Sequence, residues 1–258
     1  MDVVGVIPAA GLATRLSPIP CSKEILPVGM EQWGDKPYKR PKVAIQYVLD
    51  GMRQANIRKI FIVIRENKWD IPAFLGDGKA LGFDIAYVMM GLPFGAPFSI
   101  NQAYPFIDSS IVALGYPDIL FEPRNVYRVL LEKLTKNNAD LVLGLYKATN
   151  PQKMDMIEFD QDNNISRIVI KPEQTELEYT YVNAVWSPGF SKFMYSYITE
   201  KQNGAGTDNE FEFYMGDIFQ AFINAGKTIE YSLIDDGSYV DIGTVEDYWN
   251  TILASSKT

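Results

Sequence analysis

The sequence predicts an α/β fold of three layers, doubly wound around a mixed, mostly parallel sheet. Three observations predict it. Short β-branched and aromatic runs alternate with segments whose apolar residues recur at helical spacing. The first run ends in a turn of small residues, Pro8-Ala9-Ala10-Gly11. No break in composition divides the 258 residues into unlike halves. Parallel neighbours need long crossovers, and the intervening helices supply them.

Residues 3–7 form an apolar run and predict a buried strand followed by a turn. Ile45, Val48, Leu49 and Met52 recur at helical spacing, with Gly51 inside the pattern. Residues 59–64 predict a second buried strand, and residues 85–89 and 111–114 look similar. Val126, Val129, Leu130 and Leu134 mark another helix, and residues 141–145 return to strand. The second half carries shorter strands and hairpin-like turns. The polar cluster 160–164 separates residues 157–159 from 165–170. Residues 180–186 and 228–233 are strand-like. Between them a helix carries Ile218, Phe219, Phe222 and Ile223 and closes at Gly226. Residues 31–41 are weakly patterned, hold Gly34, Pro37 and Pro41, and are expected to form an inserted surface loop or lid. Ligands of doubly wound sheets sit at the carboxyl ends of strands, which directs attention to the loops after Ile7, Leu114 and Val240.

Composition narrows the chemistry. Hydrophobic residues make up 47% and charged residues 22%, so the chain can bury a core without disulfides or metal staples. Cys21 is the single cysteine, which excludes an intramolecular disulfide and fits a reducing compartment. The N-terminus lacks the basic region of a signal peptide, and no apolar run approaches a membrane span. A cytoplasmic location is therefore expected, with no membrane partner. The formal net charge of −8 would repel a nucleic-acid backbone, so no nucleic-acid partner is expected. Histidine is absent. Carboxylates, lysines, arginines and backbone amides must carry any catalysis.

The informative stretch runs over residues 7–28. Small residues after the first strand let backbone N–H groups approach an anion, and Arg15 and Lys23 follow closely. Taken alone, the turn could equally be only a tight turn. It is neither a Walker A loop nor a dinucleotide fingerprint, because no Gly-Lys-Ser/Thr follows and the further glycines are missing. As a unit, Ala9-Ala10-Gly11-Leu12-Ala13-Thr14-Arg15-Leu16 and Ser22-Lys23-Glu24-Ile25-Leu26-Pro27 resemble the signature of sugar-1-phosphate nucleotidyltransferases. The wording is similar to bacterial UTP–glucose-1-phosphate uridylyltransferases and glucose-1-phosphate thymidylyltransferases. Further matches follow in order: Leu114-Gly115-Tyr116-Pro117-Asp118, Ile170-Lys171-Pro172, Glu212 with Asp217, and Asp241-Ile242-Gly243-Thr244.

The resemblance implies a Rossmann-like nucleotidyltransferase fold over all 258 residues as one domain, without a C-terminal β-helix domain. Residues up to about 118 would bind nucleotide and the rest sugar phosphate. It implies that an NTP and a sugar-1-phosphate give an NDP-sugar and pyrophosphate by Mg²⁺-assisted in-line displacement. Glucose-1-phosphate is the expected sugar phosphate, with UTP favoured over dTTP. Asp118 and Asp241 would hold Mg²⁺, and Arg15 and Lys23 would complete the catalytic set. Ala9, Ala10, Gly11, Leu12, Ala13, Thr14, Met90 and Gly95 would line the nucleotide. Lys171, Asn183 and Glu212 would meet the sugar phosphate. Self-association is also implied.

Several positions depart from the family pattern. Ala13 replaces the second loop glycine, which requires a negative φ there. Met90 occupies the place of a base-reading Gln, and Ile170 that of a Glu which contacts sugar hydroxyls. Base and sugar therefore stay open. So do local readings: Asp118 as a turn or cap residue, and Asp241 as the approach to a helix capped by Thr244. A catalytically silent nucleotide-sugar sensor, or a regulatory subunit on the same fold, is the alternative function.

Overall fold

The computed structural model describes residues 1–32, 34–91, 95–204 and 213–255. Its centre is a nine-stranded sheet, mixed in direction, with helices on both faces. The parallel portion comes from the first half of the chain. There β1 (Val3–Pro8) lies between β4 (Lys59–Arg65) and β6 (Ile111–Leu114), and β5 (Asp84–Met90) extends it beyond β4.

The later strands enter differently. β11 (Tyr179–Trp186) runs antiparallel to β6 and pairs with both β8 (Leu141–Lys147) and β9 (Met156–Phe159). β9 and β10 (Ile165–Val169) form the hairpin expected around residues 160–164. β12 (Glu230–Leu233) completes the sheet parallel to β8. The short connections between the later strands favour antiparallel pairing, whereas the first half has room for crossovers.

Alternation along the central strands explains the layers. Val4 and Val6 of β1 face one core, while Ile7 faces the other. Ile60, Ile62 and Ile64 of β4 share one face, as period-two geometry requires. That face is covered by α1 (Ala44–Gln54), through Ile45, Val48, Leu49 and Met52, and by α5 (Val126–Asn137), through Val126, Tyr127 and Leu130. The opposite face receives α3 (Ala96–Gln102), α6 (Pro188–Gly204) and α7 (Met215–Asn224), with Phe98, Phe190, Phe219 and Phe222 at the contact.

Two smaller sheets stand beside the large one. β2 (Pro27–Gln32) and β3 (Lys39–Val43) pair antiparallel. Residues 31–32 and 39–41, expected to belong to an inserted surface loop or lid over residues 31–41, lie in these two strands instead. The glycine and prolines there mask a hairpin whose polar and charged side chains do not alternate with apolar ones. Arg40 and Glu31 bond across it at 2.6 Å. The second small sheet joins β7 (Ile119–Glu122) to β13 (Ser238–Asp241), just before the last helix, α8 (Val245–Ser255). That pairing positions the site described next. Among the described residues no helix is long and apolar enough to cross a membrane.

Candidate active site

The small-residue loop leaves β1 tightly held and then opens. Ala9 and Ala10 are buried, and the Ala9 N–H donates to the Val63 carbonyl at 2.8 Å. Beyond them, the N–H groups of residues 11–15 have no protein acceptor among the described residues. Ala13 adopts φ +53°, contrary to the negative angle expected for alanine. Its carbonyl explains this, because it accepts from Leu16 N at 3.0 Å, Ser17 N at 3.1 Å and Ser17 Oγ at 3.2 Å. Three donors fix the turn against the left-handed penalty, which is about 1–2 kcal/mol for a non-glycine residue.

Lys23 is aimed by its neighbours. It begins a short 3-10 turn, Lys23–Ile25. Ser22 on one side donates its N–H to Asp70 Oδ2 at 2.6 Å and its hydroxyl to Asp70 Oδ1 at 2.7 Å. Glu24 on the other side is buried and accepts two bonds from Lys68 Nζ, at 2.9 and 2.7 Å. Residues 68–70 thus clamp the turn from both ends, at the start of α2 (Asp70–Leu75). The Lys23 side chain crosses the space beside Gly11, and its Nζ donates to Asp118 Oδ2.

Asp118 and Asp241 come together through β7 and β13. Asp241 lies opposite Ile119, and the Ile242 N–H donates to the Asp118 carbonyl at 3.0 Å. A side-chain carbon at Gly243 would lie 2.9 Å from Asp241 Oδ1 and 3.1 Å from an Arg15 guanidinium nitrogen. Arg15 therefore reaches the same place, although it forms no ion pair among the described residues. Burial pushes the Asp118 carboxyl upward, but the Lys23 ammonium outweighs it and leaves the group below its ordinary value. Asp241 is pushed up to about 6, first by burial and then by the Asp118 charge, with Lys23 and Arg15 offsetting only part. Asp241 Oδ1 is buried with no hydrogen-bond partner among the described residues. Thr244 caps α8, as the local reading of this segment expects: its hydroxyl accepts from the Asp247 N–H at 3.2 Å and donates to Asp247 Oδ2 at 2.6 Å.

The described residues contain no cluster of three or more Asp, Glu or Cys side chains fit to cage a metal. Two adjacent carboxylates with an unsatisfied oxygen suit Mg²⁺, which takes one or two carboxylates and fills its remaining positions with phosphate oxygens and water. They do not suit a closed all-protein site.

A cavity of about 190 Å³ opens from the two aspartates. Tyr116, Asp118, Asp155, Lys171, Tyr181 and Asp241 are among the residues that line it. Lys171, at φ +39°, lays its ammonium over the Tyr214 ring, 3.7 Å from the centroid.

The profile of the nucleotidyl transferase family matches residues 4–257. The chain belongs to that family. A glucose-1-phosphate thymidylyltransferase of Neisseria gonorrhoeae is 29% identical to this chain over 178 residues, covering 68% of the chain and 58% of that protein. The low-salt glycan biosynthesis nucleotidyltransferase Agl11 of Haloferax volcanii is 23% identical over 247 residues, 94% of the chain and 63% of that protein. The chain thus spans about three-fifths of the length of these two relatives. The crystal structure of a UDP-glucose pyrophosphorylase complexed with UDP-glucose superposes with a TM-score of 0.78 at 19% identity, covering 100% of this chain and 99% of that one. That likeness shows the fold.

Of the remaining residues singled out in the sequence, those described do not line the cavity. Leu12 and Thr14 are exposed on the open loop. Asn183 is buried in β11 and accepts from the Tyr146 hydroxyl at 3.1 Å. Met90 ends β5. Gly95 immediately precedes α3 at φ +96°, and a side-chain carbon there would lie 2.0 Å from the Phe213 carbonyl oxygen. Packing alone therefore demands glycine. Glu212 lies outside the described residues. Lys68, Asp70, Asp155 and Tyr181 escaped sequence reasoning. Each is a lone polar residue with no local motif, and only Ser22 and Glu24 of the clamp fell within a recognisable stretch.

Proposed function

We propose that this nucleotidyl transferase joins a nucleoside triphosphate to a sugar-1-phosphate and releases pyrophosphate, with UTP and glucose-1-phosphate as first substrates and dTTP as the competing nucleotide. One observation carries the reading: two aspartates, Lys23 and Arg15 converge at the strand ends, beside a loop with open amides and a cavity holding a further lysine. A phosphate oxygen of the sugar-1-phosphate attacks the α-phosphorus. The bond from that phosphorus to the oxygen bridging to the β-phosphate breaks, and pyrophosphate leaves with the electron pair.

The attacking oxygen is already ionised at neutral pH, so no general base is required. That suits a chain without histidine. Catalysis rests on placement and on neutralising charge. The amides of residues 11–13 receive the triphosphate, and Arg15 holds the portion that leaves. Lys23 holds the α-phosphate, exchanging its bond to Asp118 for one to substrate. Lys171 holds the sugar phosphate. Asp118 and Asp241 would hold Mg²⁺, which supplies Lewis-acid stabilisation of the phosphate charge when bound. The names of the sequence relatives support dTTP or a related pyrimidine triphosphate, and the superposed UDP-glucose complex supports UTP.

The test is pyrophosphate release with glucose-1-phosphate, with and without Mg²⁺, against UTP, dTTP, ATP, CTP and GTP in turn. Release that needs both substrates and the metal is expected, fastest with UTP. No release across these and a wider sugar-phosphate panel, with nucleotide-sugars still binding by calorimetry, would replace the enzyme by a nucleotide-sugar sensor.

A further inference from the structure

Asp155 stands outside the phosphate loop and the Asp118–Asp241 pair. It precedes β9 and is 9% exposed. β11 holds it from two sides. The Thr180 hydroxyl donates to its backbone carbonyl at 2.8 Å, and the Tyr181 hydroxyl donates to its Oδ2 at 2.6 Å. The backbone at Gly216, in α7, closes on the same oxygen, since a side-chain carbon there would lie 2.8 Å from it. The carboxylate is thus fixed in one orientation. Its other oxygen, Oδ1, is buried with no hydrogen-bond partner among the described residues. The residue lines the cavity alongside Lys171.

Buried acceptors are normally satisfied, and one left unpaired is costly unless a ligand completes it. Structural needs account for Oδ2 and leave Oδ1 unexplained. The electrostatic neighbourhood separates this group from the metal pair. The charges that act most on Asp155 are Lys171 and Asp217, whereas Asp241 feels Asp118, Lys23 and Arg15. Burial first, and then the Asp155 and Asp118 charges, push the Tyr116 hydroxyl well up, so this residue neighbours both carboxylates. A ligand whose phosphate meets Lys171 would share the cavity with Asp155. A carboxylate there accepts hydrogen bonds and repels anions.

We propose that Asp155 is a specificity-determining residue of the sugar half of the cavity, with Oδ1 accepting a hydrogen bond from a donor on the sugar ring, a hydroxyl or an amine. The inference rests on the proposed function. It adds that the pocket selects sugar-1-phosphates bearing a donor at one ring position and rejects those bearing a carboxylate there.

The test is calorimetric binding of sugar-1-phosphates to the full chain, in Mg²⁺, with wild type, Asp155→Ala and Asp155→Asn. The probes are glucose-1-phosphate, or whichever sugar-1-phosphate wild type binds best, then its singly deoxygenated analogues and the matching amino-deoxy analogues. One deoxy position should weaken wild-type binding by about 10- to 100-fold, the range for a bond to a charged group. The same analogue should bind Asp155→Ala no worse than the parent sugar does, as in a double-mutant cycle. Tighter wild-type binding of the amino analogue at that position assigns an amine, and the reverse assigns a hydroxyl. Unchanged binding of the triphosphate alone shows that the variants are folded. Asp155→Asn keeps an acceptor for Tyr181 and serves if Asp155→Ala does not fold. Identical analogue preferences in wild type and variants, with pyrophosphate still released, would overturn the role of Asp155 and leave the proposed function standing. Failure of wild type to bind any sugar-1-phosphate would overturn both.

Discussion

Lys23 and Asp118, 95 residues apart in the chain, meet in an ion pair beside the cavity that Asp118 lines, each with 17% of its side chain exposed. The pair holds a cation and a prospective metal ligand ready without substrate. Lys23→Ala should lower kcat/KM about 10²- to 10³-fold, the usual cost of one preorganised charge. It should also raise the Asp118 pKa, because Lys23 is the largest influence holding it down. Steady-state kinetics and carboxyl titration by NMR check the two parts.

The clamp on the Lys23 turn predicts a stability effect. Glu24 is 1% exposed, and Lys68 satisfies both of its oxygens. Lys68→Met leaves a buried carboxylate unpaired and should cost about 3–5 kcal/mol. Adding Glu24→Leu should restore most of that loss. Denaturant unfolding of the two variants gives the comparison.

Asp241 predicts a pH dependence. Its pKa rises from 3.8 to about 6 in the fold without metal, so the folded state binds its proton more tightly than the unfolded chain. The favourable contribution of this group is complete below about pH 4 and is lost as pH climbs through about 6. A rise of this size corresponds to a few kcal/mol at about 1.4 kcal/mol per unit. Asp241→Asn should flatten the slope of stability against pH in metal-free protein. The apparent affinity for Mg²⁺ should rise with pH over the same window, because binding displaces the proton. Thermal unfolding between pH 4 and 8, with and without Mg²⁺, reads both effects.

Ala13 at φ +53° predicts a gain from the glycine it replaces. Ala13→Gly should raise stability by about 0.5–1 kcal/mol, since the relieved strain exceeds the added freedom of the unfolded chain. A calorimetric unfolding scan of the two proteins decides it.

Gly95 predicts the opposite. An added methyl would meet the Phe213 carbonyl oxygen at 2.0 Å, in a backbone conformation at φ +96°. Gly95→Ala should cost about 2 kcal/mol or more by forcing α3 away from residue 213. Denaturant unfolding would show the loss, and a neutral result would mean that the two segments separate without penalty.

Periodicity made most of the fold legible. The alternating runs around residues 4–7 and 60–64 and the helical spacing of Ile45, Val48, Leu49 and Met52 appear as β1, β4 and α1. The hairpin β2–β3 was hidden, because only Val28, Lys42 and Val43 of its strands are buried, and charged pairs such as Arg40–Glu31 hold much of the rest. The loop signature singled out Arg15 and Lys23, and weaker segments singled out Asp118 and Asp241. The φ of Ala13 was not legible, since donors from Leu16 and Ser17 set it.

The sequence by itself determined the α/β class, the order of most strands and helices, the absence of histidine chemistry and the family signature. All of these are written in local spacing or composition. Only the tertiary structure decided that β13 pairs with β7 and so sets Asp241 beside Asp118. It alone decided that Lys68 and Asp70 aim Lys23, and that Asp155, which lines the cavity, keeps a buried oxygen with no partner among the described residues. The physical reason is that a side chain's burial and partners depend on which distant segments the sheet brings together, and no local pattern encodes that.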